Sequence, residues 1–344
     1  MEKIVIEGKS GLSEILVGES LANLASYIPP KKVFIITDKN VAAYYSDQFP
    51  DVPTYVAEPG ESSKDFSTVA LIYKWLLDEG ADRSSFVVGI GGGVVCDIAG
   101  YVAATFMRGI PFGFVATSLL AQVDASVGGK NGINLHGYKN IVGTFTQPRF
   151  VICDTTLLKT LPEEEYRNGM AEVIKHALIR DENKFIFLAT DRELLINRQH
   201  EALSAVVSQS VKIKAAIVQA DELERGERRL LNFGHTWGHA VEKVARIPHG
   251  QAVAVGMAFA AGFSVYKEFL EENEKNKIID LITSYKLPVH QDIDFDEVYR
   301  AMLKDKKKEQ DSLHFIFLDK IGHAVVKEIN AGEVKAYISN VASV

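Results

Sequence analysis

The sequence predicts an α/β amino-terminal domain with a mostly parallel, Rossmann-like sheet, followed by a mainly α-helical carboxy-terminal domain. Three observations support this prediction. Short β-branched runs alternate with amphipathic stretches over the first part of the chain, which is typical of a parallel sheet covered on both faces. Long helical patterns replace them from Pro162 onward, and strand-like sequence returns only near Leu313. We therefore expect two domains, at residues 1–155 and 156–344.

The individual elements follow from local pattern. Apolar, β-branched runs predict strands at residues 1–6, 32–38, 86–90, 112–117 and 313–318. Helical spacing of apolar residues predicts a helix over 67–79, which Gly80 ends. Longer helices are predicted at residues 163–179, 201–220, 236–245 and 252–271. The last of these is almost wholly small or apolar at its start, so it should be buried on all sides, and Gly256 and Gly262 would permit close helix contacts.

Composition and charge narrow the class of protein. The 344 residues are 47% hydrophobic and 24% charged, as in ordinary globular domains. The formal net charge of −7 argues against a nucleic-acid-binding protein. Two cysteines cannot form a disulfide framework, and no apolar run approaches the ~20 residues of a membrane helix. We therefore expect a cytoplasmic protein with neither a nucleic-acid nor a membrane partner.

Two glycine-rich segments could bind phosphate groups. Residues 91–93 are all glycine, directly follow a predicted strand and lead into a helix, whose first N–H groups are free to bind an anion. Their spacing is neither that of the dinucleotide fingerprint nor that of a Walker loop, so a tight strand-to-helix turn is the alternative. The second segment, 127–132, contains Lys130 and precedes Lys139 and Asn140. It predicts either a basic pocket for a phosphorylated or carboxylated small molecule, or a solvated turn.

A third cluster predicts a metal site. His235 and His239 are four residues apart, on one face of a predicted helix, and His249 follows ten residues later. Glu172 lies in a predominantly apolar predicted helix upstream. One carboxylate and two histidines, with coordination positions left open, are what a catalytic zinc ion requires. Spacing alone selects the His235 and His239 pair, whereas a single histidine of this kind would more often be a packed or surface residue.

Taken together, these segments resemble the 3-dehydroquinate synthases, a family of sugar-phosphate cyclases related to the glycerol and iron-containing alcohol dehydrogenases. The resemblance runs through nearly the whole chain. Its main blocks are PGESSK (59–64), the glycine turn, RG (108–109), LLAQVDASVGGK (119–130), KN (139–140), TLP (160–162), NGMAEVIK (168–175), LNFGHTWGHA (231–240), HGQAV (249–253) and DKK (305–307). The chain departs from the family pattern at Cys96, Ser118, Ala125, Asn131, Tyr138 and Glu164.

The resemblance implies an NAD-binding first domain, a second domain that binds Zn²⁺ or Co²⁺ and the substrate, and a homodimer. The implied metal ligands are Glu172, His235 and His249, which moves His239 to the substrate side. The implied NAD contacts are Asp38, Asn40, Glu61, Lys64, Gly92, Gly93, Val94, Val95, Cys96, Asp97, Thr117, Ser118, Lys130, Lys139, Leu157, Leu158, Lys159 and Thr160. The implied substrate contacts are Arg108, Asp124, Lys130, Asn140, Lys175, Lys214, Arg228, Asn232, His239 and either Lys306 or Lys307. Arg108 can reach the partner subunit's site in this dimeric family.

The implied reaction converts 3-deoxy-D-arabino-heptulosonate 7-phosphate, a sugar-phosphate acid, to 3-dehydroquinate and phosphate, a step of the shikimate pathway. It combines transient NAD-dependent oxidation, phosphate elimination, reduction and an intramolecular aldol closure. Three alternatives stay open from the sequence: another sugar-phosphate cyclase, a metal-dependent polyol dehydrogenase, and an inactive binding or regulatory protein. The substrates of the other cyclases lack a carboxylate, so Arg228 is the residue that would distinguish them.

Overall fold

The computed structural model describes residues 1–305 and 312–341, and divides the chain into two compact units. Unit 1 comprises Met1–Tyr166 and His200–Leu223, and unit 2 comprises Arg167–Gln199 and Glu224–Val344. Lys306 and Lys307, two of the predicted substrate contacts, lie outside the described residues. No helix within the described ranges is long and apolar enough to cross a lipid bilayer.

The strands and helices are numbered in chain order. The strands are β1 (Glu2–Gly8), β2 (Gly11–Val17), β3 (Val33–Asp38), β4 (Thr54–Ala57), β5 (Phe86–Gly91), β6 (Phe112–Ala116), β7 (Lys130–Leu135), β8 (Tyr138–Phe145), β9 (Phe150–Cys153), β10 (Ser312–Lys320) and β11 (His323–Asn330). The helices are α1 (Lys39–Tyr45), α2 (Phe66–Asp78), α3 (Gly93–Thr105), α4 (Glu163–Arg180), α5 (Glu182–Thr190), α6 (Arg192–Ile196), α7 (His200–Ala220), α8 (His235–Ala245), α9 (His249–Tyr266), α10 (Glu272–Ser284), α11 (Phe295–Asp305) and α12 (Ala331–Val341).

Unit 1 is built on a seven-stranded sheet in the order β1-β2-β9-β6-β5-β3-β4. All neighbouring strands are parallel except the β1–β2 hairpin. The central strands β5 and β6 are buried along their whole length, as their continuous apolar sequence predicts for a sheet covered on both faces. β7 and β8 form a separate antiparallel hairpin. The predicted α/β fold class is confirmed, and the predicted strands begin and end within two residues of the observed ones.

Helix α7 belongs to unit 1, although the predicted boundary at residue 155 would place it in the second domain. It lies against β1. Ser208 donates a hydrogen bond to Glu2, and Lys212 forms an ion pair with the same carboxylate at 2.6 Å. Residues 156–166 also stay with unit 1. Helical periodicity shows that a segment is amphipathic but not which surface it covers, so the sequence could not assign this helix to a unit.

Unit 2 is mainly helical, as predicted, with the β10–β11 hairpin as its sheet. The predicted helix 252–271 is observed at His249–Tyr266, so its predicted end is wrong. Glu268 adopts a left-handed conformation with φ of 59°, and the N–H groups of Glu268 and Phe269 donate to the carbonyls of Val265 and Ser264. This is the Schellman arrangement that usually requires glycine, and it ends the helix where the apolar pattern alone continues.

Candidate active site

Glu172, His235 and His249 converge inside unit 2. Glu172 projects from α4, and the two histidines are the first residues of α8 and α9. Glu172 is fully buried, and its Oε1 lies 3.5 Å from His235 Nε2 and 3.6 Å from His249 Nε2. Oε1 has no hydrogen-bond partner among the described residues. A buried, ionised oxygen facing two imidazole nitrogens fits a divalent cation held by one carboxylate and two histidines.

Glycines bring the backbone segments of this group together. Gly234 precedes His235 with φ of 79°, a conformation that a side chain rarely adopts. Its carbonyl oxygen faces Gly256 of α9, where a Cβ atom would lie only 1.9 Å away. At Gly250, a Cβ atom would lie 2.4 Å from Asn168 Cα on α4. The three ligand-bearing helices therefore approach one another at distances that only glycine allows.

Charge and burial set the protonation of the group. Burial raises the pKa of Glu172, but the Lys175 ammonium and His249 outweigh it and lower that pKa to about 2. Lys175 Nζ contacts Glu172 Oε2, and both side chains are buried. Burial and the charge of Lys175 hold the pKa of His235 well below its usual range. Glu172 is therefore ionised and His235 neutral, which are the protonation states that a metal ion requires.

A second carboxylate, Glu242, contacts the same histidine. Burial lowers the pKa of His249, but the nearby Glu172 carboxylate and the hydrogen bond to Glu242 reverse this effect and raise the pKa to about 9. His239, Glu242 and His249 have ligand atoms close enough to form another candidate group. Over the described part of the chain, no such group contains both His235 and His239, so the structure does not favour the pair that spacing selects. Glu242 is not among the predicted site residues, although it lies one helical turn after His239.

The other predicted substrate residues of unit 2 lie in α4, in the segment before α8 and in α8 itself. Arg228 is only 2% exposed, despite being a large charged side chain. Asn232 Nδ2 donates to Glu224 Oε1. Lys175 is buried beside Glu172, and His239 is exposed on α8. A buried guanidinium offers a planar pair of donors that matches a carboxylate.

In unit 1, the glycine turn joins β5 to α3. Gly92 is the N-cap residue and its cap carries no side-chain hydrogen bond, so the first N–H groups of the helix are not capped by a side chain. A Cβ at Gly91 would lie 2.5 Å from Val95 Cβ, so close packing also requires glycine here. Val95 and Cys96 are buried, and burial raises the pKa of the Cys96 thiol. Their side chains pack in the core, which leaves backbone groups for a cofactor contact.

Lys64, Asp97 and Asn140 also meet in unit 1. Lys64 is 4% exposed, forms an ion pair with Asp97 and donates to Asn140 Oδ1 at 2.6 Å. Burial raises the pKa of Asp97, and the Lys64 charge opposes that rise. The structure therefore joins two predicted NAD contacts to a predicted substrate contact.

The remaining predicted contacts of unit 1 are more dispersed. Lys214 of α7 forms an ion pair with Asp124 and donates to its carbonyl oxygen at 2.6 Å. Asp38 caps α1 by accepting from the N–H groups of Asn40 and Val41. Arg108 is exposed, with φ of 71°. Thr117, Leu157 and Leu158 are buried; Val94 and Ser118 are half-buried; Asn40, Glu61, Lys130, Lys139, Lys159 and Thr160 are exposed.

Family comparisons match both parts of the chain. The model of the 3-dehydroquinate synthase N-terminal domain matches residues 54–168, and that of the C-terminal domain matches residues 169–308. A 3-dehydroquinate synthase of Geotalea uraniireducens is 41% identical over 313 residues, covering 87% of this chain and 86% of the relative. A 3-dehydroquinate synthase of Coxiella burnetii is 39% identical over 343 residues, covering 95% of each chain.

Solved structures of related cyclases share the fold. A 2-deoxy-scyllo-inosose synthase complexed with carbaglucose-6-phosphate, NAD⁺ and Co²⁺ superimposes with a TM-score of 0.86 at 27% identity, covering 98% of this chain and all of that one. A 2-epi-5-epi-valiolone synthase from Streptomyces hygroscopicus with NAD⁺ and Zn²⁺ superimposes with a TM-score of 0.87 at 27% identity, covering 100% of this chain and 98% of that one. Both family models and the extent of these identities lead to one conclusion: the chain belongs to the 3-dehydroquinate synthase family.

Proposed function

We propose that this protein converts 3-deoxy-D-arabino-heptulosonate 7-phosphate to 3-dehydroquinate and phosphate. The observation that carries the proposal is the convergence of Glu172, His235 and His249 in a chain of this family. Buried Lys175 and Arg228 add the cationic groups that a phosphorylated carboxylic acid needs.

We assign metal binding to unit 2 and NAD binding to unit 1. Glu172, His235 and His249 would hold Zn²⁺ or Co²⁺, which supplies a Lewis acid that lowers the pKa of the substrate alcohol. NAD⁺ supplies a reversible hydride acceptor. It would bind the NAD contacts of unit 1 that the resemblance implies, from Asp38 to Thr160. Solved relatives that hold NAD⁺ with Co²⁺ or Zn²⁺ support the use of both groups by this protein.

The protein's own residues position the substrate and balance its charge. Arg228 binds the substrate carboxylate through two parallel N–H···O bonds. Lys130, Asn140, Lys175 and one lysine of the 306–307 pair bind the phosphate and stabilise its charge as it leaves. Lys214, Asp124, Asn232 and His239 complete the set of groups that orient the sugar hydroxyls.

A phosphate-release assay tests this function. The purified protein, the heptulosonate phosphate, NAD⁺ and Zn²⁺ or Co²⁺ should release one phosphate per substrate without net NADH. EDTA should abolish release, and added metal should restore it. NADH rising in proportion to substrate consumed would instead identify a polyol dehydrogenase. Release from glucose 6-phosphate or sedoheptulose 7-phosphate, but not from the heptulosonate, would identify another cyclase.

We also propose a cytoplasmic homodimer in which the exposed Arg108 reaches the partner subunit. Light scattering after size-exclusion chromatography should give twice the mass of the 37.9 kDa chain. If the protein is dimeric, mixing Arg108→Ala subunits with subunits that lack a different substrate residue should restore part of the activity. No restoration would place Arg108 in the site of its own subunit.

A further inference from the structure

The β7–β8 hairpin contains an irregularity that places two predicted site residues. Its tip is a two-residue turn in which His136 and Gly137 both have positive φ, of 49° and 81°. Ile133 pairs with Val142, whereas Leu135 pairs with Tyr138. Asn134 alone therefore faces three residues of β8, and two of these are Lys139 and Asn140. Bulges of this kind turn side chains away from the regular ladder.

In the bulge, the Asn134 side chain accepts a hydrogen bond from the backbone N–H of Asn140. Asn140 has φ of 51°, a left-handed conformation that asparagine tolerates better than most residues. Its N–H donates to Asn134 Oδ1 at 2.9 Å, and its own side-chain oxygen accepts from Lys64 at 2.6 Å. The Asn134 side chain thus supports the backbone conformation that brings the Asn140 amide to Lys64.

Asn134 also attaches the hairpin to the segment before α2. Its Nδ2 donates to Glu61 Oε1 at 2.8 Å, and its backbone N–H donates to the Lys64 carbonyl at 2.8 Å. The orientation of the amide is fixed by chemistry: the Asn140 N–H can only donate, and an ionised Glu61 carboxylate can only accept. One residue therefore contacts Glu61, Lys64 and Asn140, and each of these three was predicted as a site residue from the resemblance.

We infer that Asn134 is a positioning residue that holds the β8 bulge and fixes it to the Glu61–Lys64 segment. The inference rests on the proposed function, in which Lys139 contacts NAD⁺ and Asn140 binds the substrate phosphate. Asn134 acts through its neighbours rather than on the substrate. Its loss should release the bulge and misplace Asn140, and misplaced groups lower the rate even when the fold survives.

Hydrogen exchange of the protein without ligands tests the structural part. In Asn134→Ala, we expect peptides of β8 to exchange at least tenfold faster, because the Asn140 N–H loses its acceptor. His136→Asn is the matched control: it changes an exposed residue of the same hairpin to one that suits the turn, and should leave β8 exchange unchanged. Equal exchange in wild type and Asn134→Ala would overturn the inference.

A reciprocal pair of variants separates positioning from a general loss of stability. Asn134→Asp can still accept from Asn140, but its second oxygen would face the Glu61 carboxylate. Adding Glu61→Gln supplies a donor to that oxygen, so the double variant should recover the slow β8 exchange that Asn134→Asp loses. Failure of the double variant to recover it would contradict the proposed contact.

Kinetics then test the link to catalysis. Asn134→Ala should lower kcat/KM for phosphate release about tenfold, while His136→Asn stays near wild type. Unchanged kcat/KM in Asn134→Ala would overturn the positioning role even if β8 exchanges faster. A wild-type protein that releases no phosphate would refute the proposed function instead, and the two exchange experiments would still decide whether Asn134 holds the bulge.

Discussion

His249 Nδ1 lies 3.1 Å from Glu242 Oε2, while the other ring nitrogen of His249 faces Glu172 at 3.6 Å. The Glu242 side chain is 11% exposed, so its carboxylate is largely shielded from water. When the imidazole is neutral, a carboxylate that accepts from one ring nitrogen fixes the tautomer and leaves the other nitrogen as a metal ligand, so a cation bound here would displace the second proton that the raised pKa of His249 implies. Glu242 would therefore orient His249 for the proposed cation.

Replacing Glu242 should weaken metal binding without removing a ligand. We expect Glu242→Gln to lower the affinity for Zn²⁺ by roughly 10–100-fold, because the neutral amide orients His249 less strongly. Chelator competition on the metal-free protein measures this affinity without substrate. Glu297→Gln, an exposed change on α11, is the control and should bind as wild type does. Equal affinities would show that Glu242 does not orient His249.

Two glycines of α9 should respond differently to alanine. A Cβ at Gly256 would meet the Gly234 carbonyl, which cannot move without displacing His235. At Gly262 the Cβ would meet only the end of the Tyr337 side chain, at 2.3 Å. We expect Gly256→Ala to lower the free energy of unfolding by about 2–3 kcal/mol and to weaken Zn²⁺ binding.

Gly262→Ala serves as the matched variant. Alanine gains about 1 kcal/mol of helix propensity over glycine, which offsets part of the clash with the Tyr337 hydroxyl. Chemical denaturation and metal titration should therefore place this variant much nearer wild type than Gly256→Ala. Equal losses in both variants would refute the role of the Gly234 contact.

Arg228 and Arg229 are adjacent but differ in environment. Arg228 is buried, whereas Arg229 is half-buried beside an open groove with a volume of about 520 Å³ and has no side-chain partner in the described part of the chain. We expect Arg228→Ala to lower kcat/KM for the heptulosonate phosphate by roughly 10²–10³-fold, since the substrate carboxylate loses its paired donors. Arg229→Ala should change it less than threefold. Normal turnover by Arg228→Ala would remove the carboxylate assignment.

Lys184 should make stability depend on pH. Burial lowers the pKa of this amine to about 7, and Asp181 opposes that shift. An unfolded lysine has a pKa of about 10.4, so the unfolded chain binds more protons than the native protein between these values. This group therefore makes the free energy of unfolding rise with pH from about 7 to about 10, and below pH 7 its cost is constant.

Lys184→Met should remove both the constant cost below pH 7 and the rise of the free energy of unfolding with pH. The variant should be more stable than wild type below pH 7, and the difference should shrink as the pH rises towards 10. Urea denaturation of both proteins across this range measures the difference in their free energies of unfolding. The contributions of other titrating groups are common to both proteins and cancel in this difference. A difference that does not change with pH would mean that Lys184 does not titrate as proposed.

Local pattern predicted the fold class, strands β1, β3, β5 and β6 of the seven-stranded sheet, and helices α2, α4, α7, α8 and α9, while β2, β4 and β9 were not predicted. Alternating strands and helices require a covered parallel sheet, whatever contacts form later. The resemblance supplied the set Glu172, His235 and His249, whereas spacing alone selects His235 and His239. It also supplied the contacts assigned to NAD and to the substrate, and all of these site assignments stay predictions.

Other features depended on contacts between residues far apart in the chain. Nothing local in the sequence shows that α7 covers β1, that Glu268 ends α9 without a glycine, or that Glu242 accepts from His249. Asn134 is one polar residue in a hairpin until folding brings Glu61 to within 2.8 Å of its amide. The local sequence determines which face of a helix or strand is apolar, because apolar residues recur with the period of that element. Which side chains meet across different elements is decided only when the chain packs.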